Sequence, residues 1–453
     1  MTNKDLINNT SSQDSFLIVG FGMTGKAIAR FLDNKNLFYY IVDNRDITEE
    51  AGTGFKKQLS EKSAQELLAS SQITSVFPSP GVSLQHSVVT TAAKHKVPII
   101  GELELASFYL QGDFIAVTGT NGKSTTAMLI NALLEDAGMA NRLCGNIGEP
   151  LINAVNEPPT PFYVIEESSY QLELVGSLKH RIAICLNVTE DHFDRYDNIQ
   201  DYALAKQNII KNSDKNHWFI FNDDDPYCQR MSWESNTQNS PYSLVKTYNQ
   251  GSYSQHDELI VKLNNETFTF KLSECALTGL HNHENMLASL TAVLLINKTP
   301  EAVNSYKKTL KTFKGLKHRM QKVHEFNGVH YYDDSKATNV GAVVMALASF
   351  DQPIILIAGG KEKNCDFAPL KGIIKNKVKK LILLGDAKDK METIFKNDAE
   401  IILVKDMKEA VLQAKQEASE GDVVLLSPAC ASFDQYKNFE ERGYDFQQHV
   451  KDL

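Results

Sequence analysis

Ala116-Val117-Thr118-Gly119-Thr120-Asn121-Gly122-Lys123-Ser124-Thr125 follows an apolar run at residues 114–117 and precedes a helical pattern at residues 126–134. A turn of small residues between a strand and a helix exposes backbone N–H groups that bind phosphate. In such a loop Lys123 supplies a charge for the outer phosphates and Ser124 a hydroxyl for Mg²⁺. The stretch therefore predicts a phosphate loop, with ATP or a relative as the energy source. A glycine turn without a ligand is the alternative, because the usual pattern has a glycine at the position of Val117.

The length and charge of the chain restrict its class. At 453 residues it exceeds one ordinary core, and we expect three domains. The formal net charge of −9 argues against a nucleic-acid partner. No stretch has the length and apolar character of a membrane span, and residues 1–14 lack the apolar core of a signal peptide, so we expect no membrane partner and a cytoplasmic enzyme. The cysteines form no C-x-x-C pair, which fits a reducing compartment.

Alternating strand and helix patterns predict an α/β fold with domains at residues 1–103, 104–315 and 316–453. We expect a Rossmann-like N-terminal domain, a central domain like a P-loop ATPase and a Rossmann-like C-terminal domain. Residues 231–257 are rich in Ser, Asn, Gln and Tyr, which predicts loops and a small antiparallel excursion rather than core. The other predicted strands lie at residues 16–19, 38–42, 162–165, 182–186, 218–221, 329–332, 354–357, 380–384, 400–404 and 423–426.

A second glycine-rich turn, Gly20-Phe21-Gly22-Met23-Thr24-Gly25, follows the first predicted strand and matches G-x-G-x-x-G. Asp43 follows the next strand, as in a dinucleotide-binding fingerprint. Backbone amides and a carboxylate suit the diphosphate of a UDP-sugar equally well. A glycine turn that serves only helix–strand packing is a third interpretation, and the motif alone does not choose among them.

Two predicted strands of the central domain are followed by acidic and imidazole side chains. Glu166 and Glu167 stand where an α/β sheet opens onto its ligand, and a carboxylate there suits Mg²⁺, although a solvated strand end has the same appearance. The next strand ends in a polar cluster at residues 187–196, in which His192 can complete a metal shell made of oxygens. Lys206, on the following helix pattern, reads by default as a surface lysine.

Further polar groups stand at helix starts and strand ends in the second half of the chain. Asn282 and Asn285 lie three residues apart at a helix start, so both face one side, where they suit an adenine edge or a helix cap. Arg319 suits a phosphate or an interdomain ion pair. The dense polar groups at residues 333–339 suggest substrate contact. Similar turns follow strands at residues 359–363 and 427–432.

Taken together, these motifs resemble the Mur ligase family over nearly the whole chain. The central signature of that family matches residues 119–125, its metal glutamate matches Glu166 and its metal histidine matches His192. The phosphate loop of the family normally lacks the first glycine, which accounts for Val117. The family also has a carbamylated lysine at the position of Lys206, where the added carboxylate helps to hold Mg²⁺. Glu167 departs from the family pattern, which more often has an apolar residue there.

The resemblance implies an ATP-dependent amide ligase that adds D-glutamate to UDP-N-acetylmuramoyl-L-alanine through an acyl phosphate, in the synthesis of peptidoglycan precursors. Residues 334–339 look like the D-glutamate version of a motif that differs in ligases for other amino acids, and residues 426–443 are similarly typical. The implied cofactors are ATP, two Mg²⁺ ions and the carbamylated lysine. The implied partners are the two substrates, and the family default is a monomer. Closure of the third domain onto the central one would exclude water.

The resemblance also implies a role for individual residues. The implied catalytic residues are Lys123, His192 and Lys206. The implied metal ligands are Ser124, Glu166, His192 and Lys206. The implied ATP-binding residues are Gly119, Thr120, Asn121, Gly122, Lys123, Ser124, Thr125, Asn282, Asn285, Arg319 and Asp334. The implied UDP-sugar-binding residues are Gly22, Met23, Thr24, Asp43, Ser79, Gly81 and Asn146. The other implied substrate-binding residues are Lys336, Thr338, Lys363, Ser432 and Phe439.

Three alternatives compete with this interpretation. An NAD-dependent oxidoreductase would use the first glycine motif but leave the phosphate loop unexplained. A P-loop switch or binding module would need no amino-acid pocket. Another amide ligase, such as a folylpolyglutamate synthetase, shares the central fold.

Overall fold

The computed structural model describes residues 15–47, 50–192, 195–361 and 366–453. The strands in these ranges form three separate sheets with helices packed on them, which confirms the predicted α/β fold. Each sheet lies inside one of the three predicted domains, whose boundaries stay predictions. We call the parts of the chain that surround the three sheets the N-terminal, central and C-terminal units.

The N-terminal unit has a parallel sheet in the order β3-β2-β1-β4. Its strands are β1 (Ser15–Val19), β2 (Phe38–Val42), β3 (Phe55–Gln58) and β4 (Ser75–Pro78), and its helices are α1 (Met23–Asn34), α2 (Glu61–Ala69) and α3 (Ser87–Lys94). Alternate residues of β1 enter apolar clusters on opposite faces of the sheet, so the strand is an unbroken apolar run. The glycine turn at residues 20–25 therefore leaves the middle of the sheet at its carboxyl edge.

The central unit has a nine-stranded sheet in the order β13-β12-β11-β10-β9-β8-β5-β7-β6. Its strands are β5 (Asp113–Thr118), β6 (Asn141–Gly145), β7 (Phe162–Glu166), β8 (Ile182–Cys185), β9 (Trp218–Asn222), β10 (Gln238–Ser243), β11 (Gly251–Gln255), β12 (Glu258–Leu263) and β13 (Glu266–Lys271). Its helices are α4 (Glu102–Ser107), α5 (Lys123–Asp136), α6 (Ser169–Leu172), α7 (Ile199–Gln207), α8 (Pro226–Glu234), α9 (Leu280–Ile296) and α10 (Pro300–Thr312). Ala116 and Val117 of β5 enter different apolar clusters, so both faces of this strand are covered. The phosphate-loop sequence follows β5 at the carboxyl edge, between the ends of β7 and β8.

Residues 231–257 contain more sheet than predicted. β10 pairs in parallel with β9, and β11 extends the sheet from β10. Tyr242 and Tyr253 are buried, so the prediction that this stretch lies outside the core was wrong. Tyrosine buries a large ring when its hydroxyl has a partner, and the Tyr242 hydroxyl donates to the Leu186 carbonyl at 3.1 Å. The predicted antiparallel pairing is present between β11 and β12.

The C-terminal unit has a six-stranded sheet in the order β14-β15-β19-β16-β17-β18, parallel except for the β14–β15 pair. Its strands are β14 (Gln321–Phe326), β15 (Val329–Asp333), β16 (Ile354–Gly359), β17 (Val378–Leu384), β18 (Glu400–Leu403) and β19 (Val423–Leu426). Its helices are α11 (Val340–Ala348), α12 (Lys371–Lys377), α13 (Lys388–Phe395), α14 (Met407–Glu417) and α15 (Phe439–Lys451). None of the helices in the described ranges combines the length and apolar character that crossing a membrane requires.

Candidate active site

The loop after β5 has the backbone of a phosphate cradle. Gly119 and Gly122 have φ values of 150° and 86°, which L side chains rarely adopt. The end of the neighbouring strand holds the loop, because the Thr120 N–H donates to the Asn187 carbonyl at 2.9 Å and the Asn121 N–H to Asn187 Oδ1 at 2.8 Å. α5 begins at Lys123, so its free N–H groups face the loop.

A cavity of about 670 Å³ lies between the central and C-terminal units. Its polar lining combines the loop with side chains of both units: Thr120, Asn121, Lys123, Ser124, Thr125, Asp191, His192, Arg319, Lys336, Thr338 and Asn339. Its apolar lining includes Leu316, Val340, Val344, Met345 and Pro369, which suit the flat face of a base. No sequence motif indicated this apolar wall, because its residues come from separate parts of the chain and have no polar pattern.

Two lysines meet at one carbonyl of the phosphate loop. Gly119 O accepts from Lys123 Nζ at 2.8 Å and from Lys206 Nζ at 2.9 Å. Lys206 is only 1% exposed, so the default interpretation as a surface lysine was wrong. Burial, and then the like charge of Lys123, lowers the pKa of Lys206 from 10.5 to about 7. A large share of this amine is therefore neutral near pH 7.

Glu166 and Glu167 stand side by side but have different surroundings. Glu166 is 2% exposed, accepts from Asn146 Nδ2 at 2.8 Å through Oε1, and interacts electrostatically with Lys123 and Lys336. Its Oε2 atom is buried and has no hydrogen-bond partner among the described residues. A buried carboxylate oxygen without a partner is costly, and a cation is one way to satisfy it.

Glu167 faces a different set of residues. It is fully buried, and its Oε1 lies 2.9 Å from Nε2 of His180, whose Nδ1 lies 2.8 Å from the Ile209 carbonyl. Burial disfavours the imidazolium, but the Glu167 carboxylate and these hydrogen bonds outweigh it and raise the pKa of His180. The departure of Glu167 from the family pattern is thus accompanied by a buried partner, which the sequence analysis did not identify because the two are brought together only by the fold.

His192 stands near the loop without being part of a ready metal cluster. Its φ is 58°, and its Nδ1 lies 2.8 Å from the Tyr170 hydroxyl. In the part of the chain that the structure describes, no three His, Cys, Asp or Glu side chains converge as they would around a metal. The predicted ligand set differs from such a cluster because it includes the Ser124 hydroxyl and a modified lysine.

Asn282 and Asn285 lie on the first turns of α9, behind the phosphate loop. The Asn285 amide donates to Asn282 Oδ1 at 3.2 Å and accepts from the Thr126 hydroxyl at 3.2 Å. Asn285 Oδ1 also occupies the space that a side chain on Gly122 would need. Asn285 therefore packs against the loop and Asn282 orients Asn285, and the prediction that the two bind ATP stays a prediction.

The segment that enters the C-terminal unit carries Arg319 between two residues with positive φ, His318 at 61° and Met320 at 46°. Its backbone is fixed by the end of β15, because Asp334 accepts from the Met320 N–H at 3.2 Å. Burial, partly offset by Arg319, raises the pKa of Asp334 to about 6. Arg319 itself lines the cavity.

The predicted amino-acid pocket is described only in part. Lys336 Nζ lies 3.5 Å from Ser124 Oγ of the phosphate loop and 5.0 Å from the centre of the Phe439 ring. Thr338 lines the cavity, and Ser432 is buried on the loop after β19. Lys363 lies outside the described residues.

Arg442, on α15, is not among the predicted site residues, but it contacts two loops of the predicted pocket. Its buried guanidinium donates to the Ser335 carbonyl at 2.9 Å and to the Cys430 carbonyl at 3.1 Å. It therefore joins the two loops that carry Lys336 and Ser432. An arginine in a polar helix has no sequence signal for such a role, since only the fold shows that it points inward.

The first glycine turn has a cavity of its own, of about 630 Å³, lined by Gly22, Met23 and neighbouring residues. Asp43 accepts from the Phe21 N–H at 2.6 Å and from the Arg45 N–H at 2.9 Å. Partial burial favours the protonated carboxyl, but these N–H groups together with the Arg45 guanidinium outweigh it and lower the pKa of Asp43. Thr24 lies in the first turn of α1, and the Ser79 hydroxyl donates to the Gly20 carbonyl at 2.8 Å. Gly81 follows β4 and has open space where a side chain would stand.

Family models match most of the chain in three parts. Residues 14–101 match the Mur ligase MurD-like N-terminal domain, residues 117–293 the Mur ligase middle domain, and residues 318–430 the Mur ligase glutamate ligase domain. The chain is 36% identical to the UDP-N-acetylmuramoylalanine--D-glutamate ligase of Syntrophus aciditrophicus (strain SB), over 97% of this chain and 98% of that protein. It is also 36% identical to the ligase of the same name from Geotalea daltonii, over 96% of this chain and 97% of that protein.

Solved structures share the fold at lower identity. A pseudomurein peptide ligase type C from Methanothermus fervidus is 16% identical with a TM-score of 0.62, over 97% of this chain and 99% of that chain. MurF ligase from Thermotoga maritima, in complex with ADP, is 18% identical with a TM-score of 0.60, over 92% of this chain and 96% of that chain.

Proposed function

This chain belongs to the Mur ligase family, and on that basis we propose that it joins D-glutamate to UDP-N-acetylmuramoyl-L-alanine, converting ATP to ADP and phosphate, in peptidoglycan precursor synthesis. The observation that carries the proposal is the single cavity lined by the phosphate loop of one unit and by Lys336 and Thr338 of another. This shared cavity supports a site in which ATP on the loop meets an acidic amino acid beside Lys336. The relatives that carry this activity in their name align over almost the full chain.

The reaction proceeds in two steps. A carboxylate oxygen of the alanyl group attacks the γ-phosphorus of ATP, the bond to ADP breaks, and an acyl phosphate forms. The amine of D-glutamate then attacks the acyl carbon and loses a proton, and phosphate leaves from the tetrahedral intermediate. Phosphoryl transfer needs alignment and charge neutralisation more than covalent help from the protein. Lys123 and Lys336 supply positive charge from the two sides of the cavity.

Mg²⁺ supplies further positive charge to the phosphates and orients them. We propose two Mg²⁺ ions, held by Ser124, Glu166, His192 and carbamylated Lys206. The unpartnered Oε2 of Glu166 supports a cation beside it. The lowered pKa of Lys206 supports carbamylation, because the neutral amine attacks carbon dioxide, forms an N–C bond and releases a proton. The modification would replace a buried, partly neutral amine with a negative carbamate beside Lys123.

The remaining predicted residues are assigned to substrates. We propose that ATP contacts Gly119, Thr120, Asn121, Gly122, Thr125, Asn282, Asn285, Arg319 and Asp334. The UDP-sugar is assigned to Gly22, Met23, Thr24, Asp43, Ser79, Gly81 and Asn146. D-glutamate is assigned to Lys336, Thr338, Lys363, Ser432 and Phe439. Each charge-assisted hydrogen bond to the carboxylates of D-glutamate contributes about 1.5–3 kcal/mol. An amino acid without a side-chain carboxylate leaves some of these donors unpaired and should be a poor substrate.

Phosphate release from ATP tests the function directly. We expect release with UDP-N-acetylmuramoyl-L-alanine to depend on D-glutamate, and D-alanine or L-lysine to replace it poorly. Equal rates with amino acids that lack a side-chain carboxylate would contradict the amino-acid pocket. Absence of D-glutamate-dependent release, together with binding of NAD in calorimetry, would instead favour the oxidoreductase alternative.

The cellular compartment and the oligomeric state of the enzyme are also part of the proposal. ATP and a UDP-linked precursor are cytoplasmic metabolites, so we propose that the enzyme works in the cytoplasm. We also propose that it acts as a monomer with domains at residues 1–103, 104–315 and 316–453. Sedimentation at assay concentrations tests the oligomeric state.

A further inference from the structure

We infer that Asn339 and Gly341, at the start of α11, are positioning residues that lock the C-terminal unit onto the phosphate loop during the reaction. The inference rests on the proposed function, since it concerns how the two halves of that site meet. Asn339 lies in the segment 333–339 linked to substrate by its sequence, but neither residue is among those assigned individually to ATP, metal or substrate.

The amide of Asn339 is fully used, and both of its donors cross between units. Oδ1 accepts from the Ala342 N–H at 2.9 Å, which caps α11. Nδ2 donates to Asn121 Oδ1 at 3.3 Å and to Asp191 Oδ2 at 3.2 Å. A side-chain amide has two N–H donors. Asn339 therefore caps the start of α11 with its oxygen and donates both N–H groups to the central unit.

The two acceptors belong to the segments that carry the proposed chemistry. Asn121 is part of the phosphate loop. Asp191 precedes His192 and accepts its N–H at 2.9 Å. The Asn339 amide therefore contacts the loop and the His192 segment together, which is possible only when the two units meet. In that arrangement Lys336 also comes within 3.5 Å of Ser124.

Gly341 has no side chain, which allows α11 to lie close to Thr189 and Asn121 of the central unit. A Cβ atom there would lie 3.0 Å from Thr189 Oγ1 and 3.5 Å from Asn121 Nδ2. A contact of 3.0 Å is tighter than nine in ten real Cβ contacts, so a side chain at position 341 requires Thr189 or α11 to shift by a few tenths of an ångström. Glycine disfavours a helix relative to alanine, so helix stability does not account for it here.

Asn339→Ser tests the amide while keeping a helix cap, because serine is also a good N-cap. Asp406→Ser is the matched control, since Asp406 caps α14 of the same unit by accepting from the Glu409 N–H at 2.9 Å and is exposed. We expect Asn339→Ser to lower kcat about tenfold, as expected for two lost hydrogen bonds in the closed state, with KM for ATP changed less than about twofold. Hydrogen exchange should show that ADP with Mg²⁺ protects residues 119–125 less in this variant than in the control.

Gly341→Ala tests the close approach, with Gly372→Ala on α12 as control, because a Cβ at Gly372 meets nothing within 4 Å. We expect Gly341→Ala to lower kcat without lowering the melting temperature, since alanine favours the helix. Wild-type kcat and wild-type protection in both Asn339→Ser and Gly341→Ala would overturn the inference and leave the proposed function intact. If the wild-type protein lacks D-glutamate-dependent turnover, the proposed function fails, and the exchange measurement with ADP still decides on the contact.

Discussion

The two glycine turns of this protein have the same local design and different electrostatics. Each follows a buried strand and opens a helix, and each has an N–H held by the end of a neighbouring strand. In the N-terminal unit that acceptor is the charged carboxylate of Asp43, whereas in the central unit it is the neutral amide of Asn187. The Gly20 carbonyl accepts from the Ser79 hydroxyl, whereas the Gly119 carbonyl accepts from two lysines. The backbone pattern therefore indicates a phosphate-binding turn, and the side chains around it determine which anion or neutral group it prefers.

Lys123→Ala should have the largest effect, because it removes a lysine that donates to the Gly119 carbonyl, whereas no lysine donates to the Gly20 carbonyl in the structure described. We expect turnover to fall about 1,000-fold, as is typical when a preorganised positive group is removed from a phosphoryl-transfer site. The rate of ATP-dependent ligation measures it. Lys26→Ala, beside the N-terminal turn, is the control, and its turnover should stay within a few fold of wild type. Similar losses in both variants would remove the distinction between the turns.

Lys206→Ala tests the second lysine at Gly119. We expect turnover to fall about 100-fold or more, since the variant loses a proposed metal ligand, with circular dichroism unchanged. A small carboxylic acid should restore part of the activity. Lys211→Ala, which removes a lysine that donates to the Val175 carbonyl, is the control and should stay active. Full activity of Lys206→Ala would contradict the assignment.

The lowered pKa of Lys206 predicts that the activity depends on pH. Carbamylation requires the neutral amine, whose share grows as the pH rises through the pKa of about 7. Activity after equilibration with bicarbonate should therefore increase from pH 6 to pH 8. A ¹³C carbamate signal from labelled bicarbonate should grow in parallel in the wild type and be absent from Lys206→Ala.

Asp43→Asn tests the carboxylate at the N-terminal turn. Asparagine can still accept from the Phe21 N–H, but it has no charge and its amide nitrogen cannot accept from Arg45 as Asp43 Oδ1 does. We expect KM for the UDP-sugar to rise about tenfold, which corresponds to roughly one charge-assisted hydrogen bond. KM for ATP should not change. Calorimetry with the UDP-sugar and with NAD checks the ligand, and tight NAD binding without UDP-sugar binding would overturn the assignment of this site.

The smallest effect is expected for Gly25→Ala, with Gly22→Ala as its control. We expect this substitution to change the stability of the protein rather than its turnover. A Cβ at Gly25 would lie 2.2 Å from the Gly20 carbonyl oxygen, whereas one at Gly22 meets nothing within 4 Å. We expect Gly25→Ala to lower the free energy of unfolding by about 1–3 kcal/mol, as for other overpacked sites, and Gly22→Ala by less than about 0.5 kcal/mol. Denaturant titration measures both, and equal values would show that the N-terminal turn is not sterically tight.

The sequence was sufficient for the architecture because the relevant signals are local. Apolar runs predicted the strands around both glycine turns, and the structure contains them. It was insufficient for residues 231–257, where polar composition predicted loops but buried tyrosines such as Tyr242 continue the sheet. The composition of a segment does not show which distant residues its side chains pack against.

By itself, the sequence determined the α/β class, many of the strands, the positions of the two glycine turns and the family. Only the tertiary structure decided that Lys206 is buried against Gly119, that Glu167 pairs with His180, that Arg442 joins two loops, and that Asn339 reaches the phosphate loop. The physical reason is distance along the chain. Secondary structure and turn geometry depend on neighbouring residues, whereas burial, pKa shifts and contacts between units depend on groups that only folding brings together.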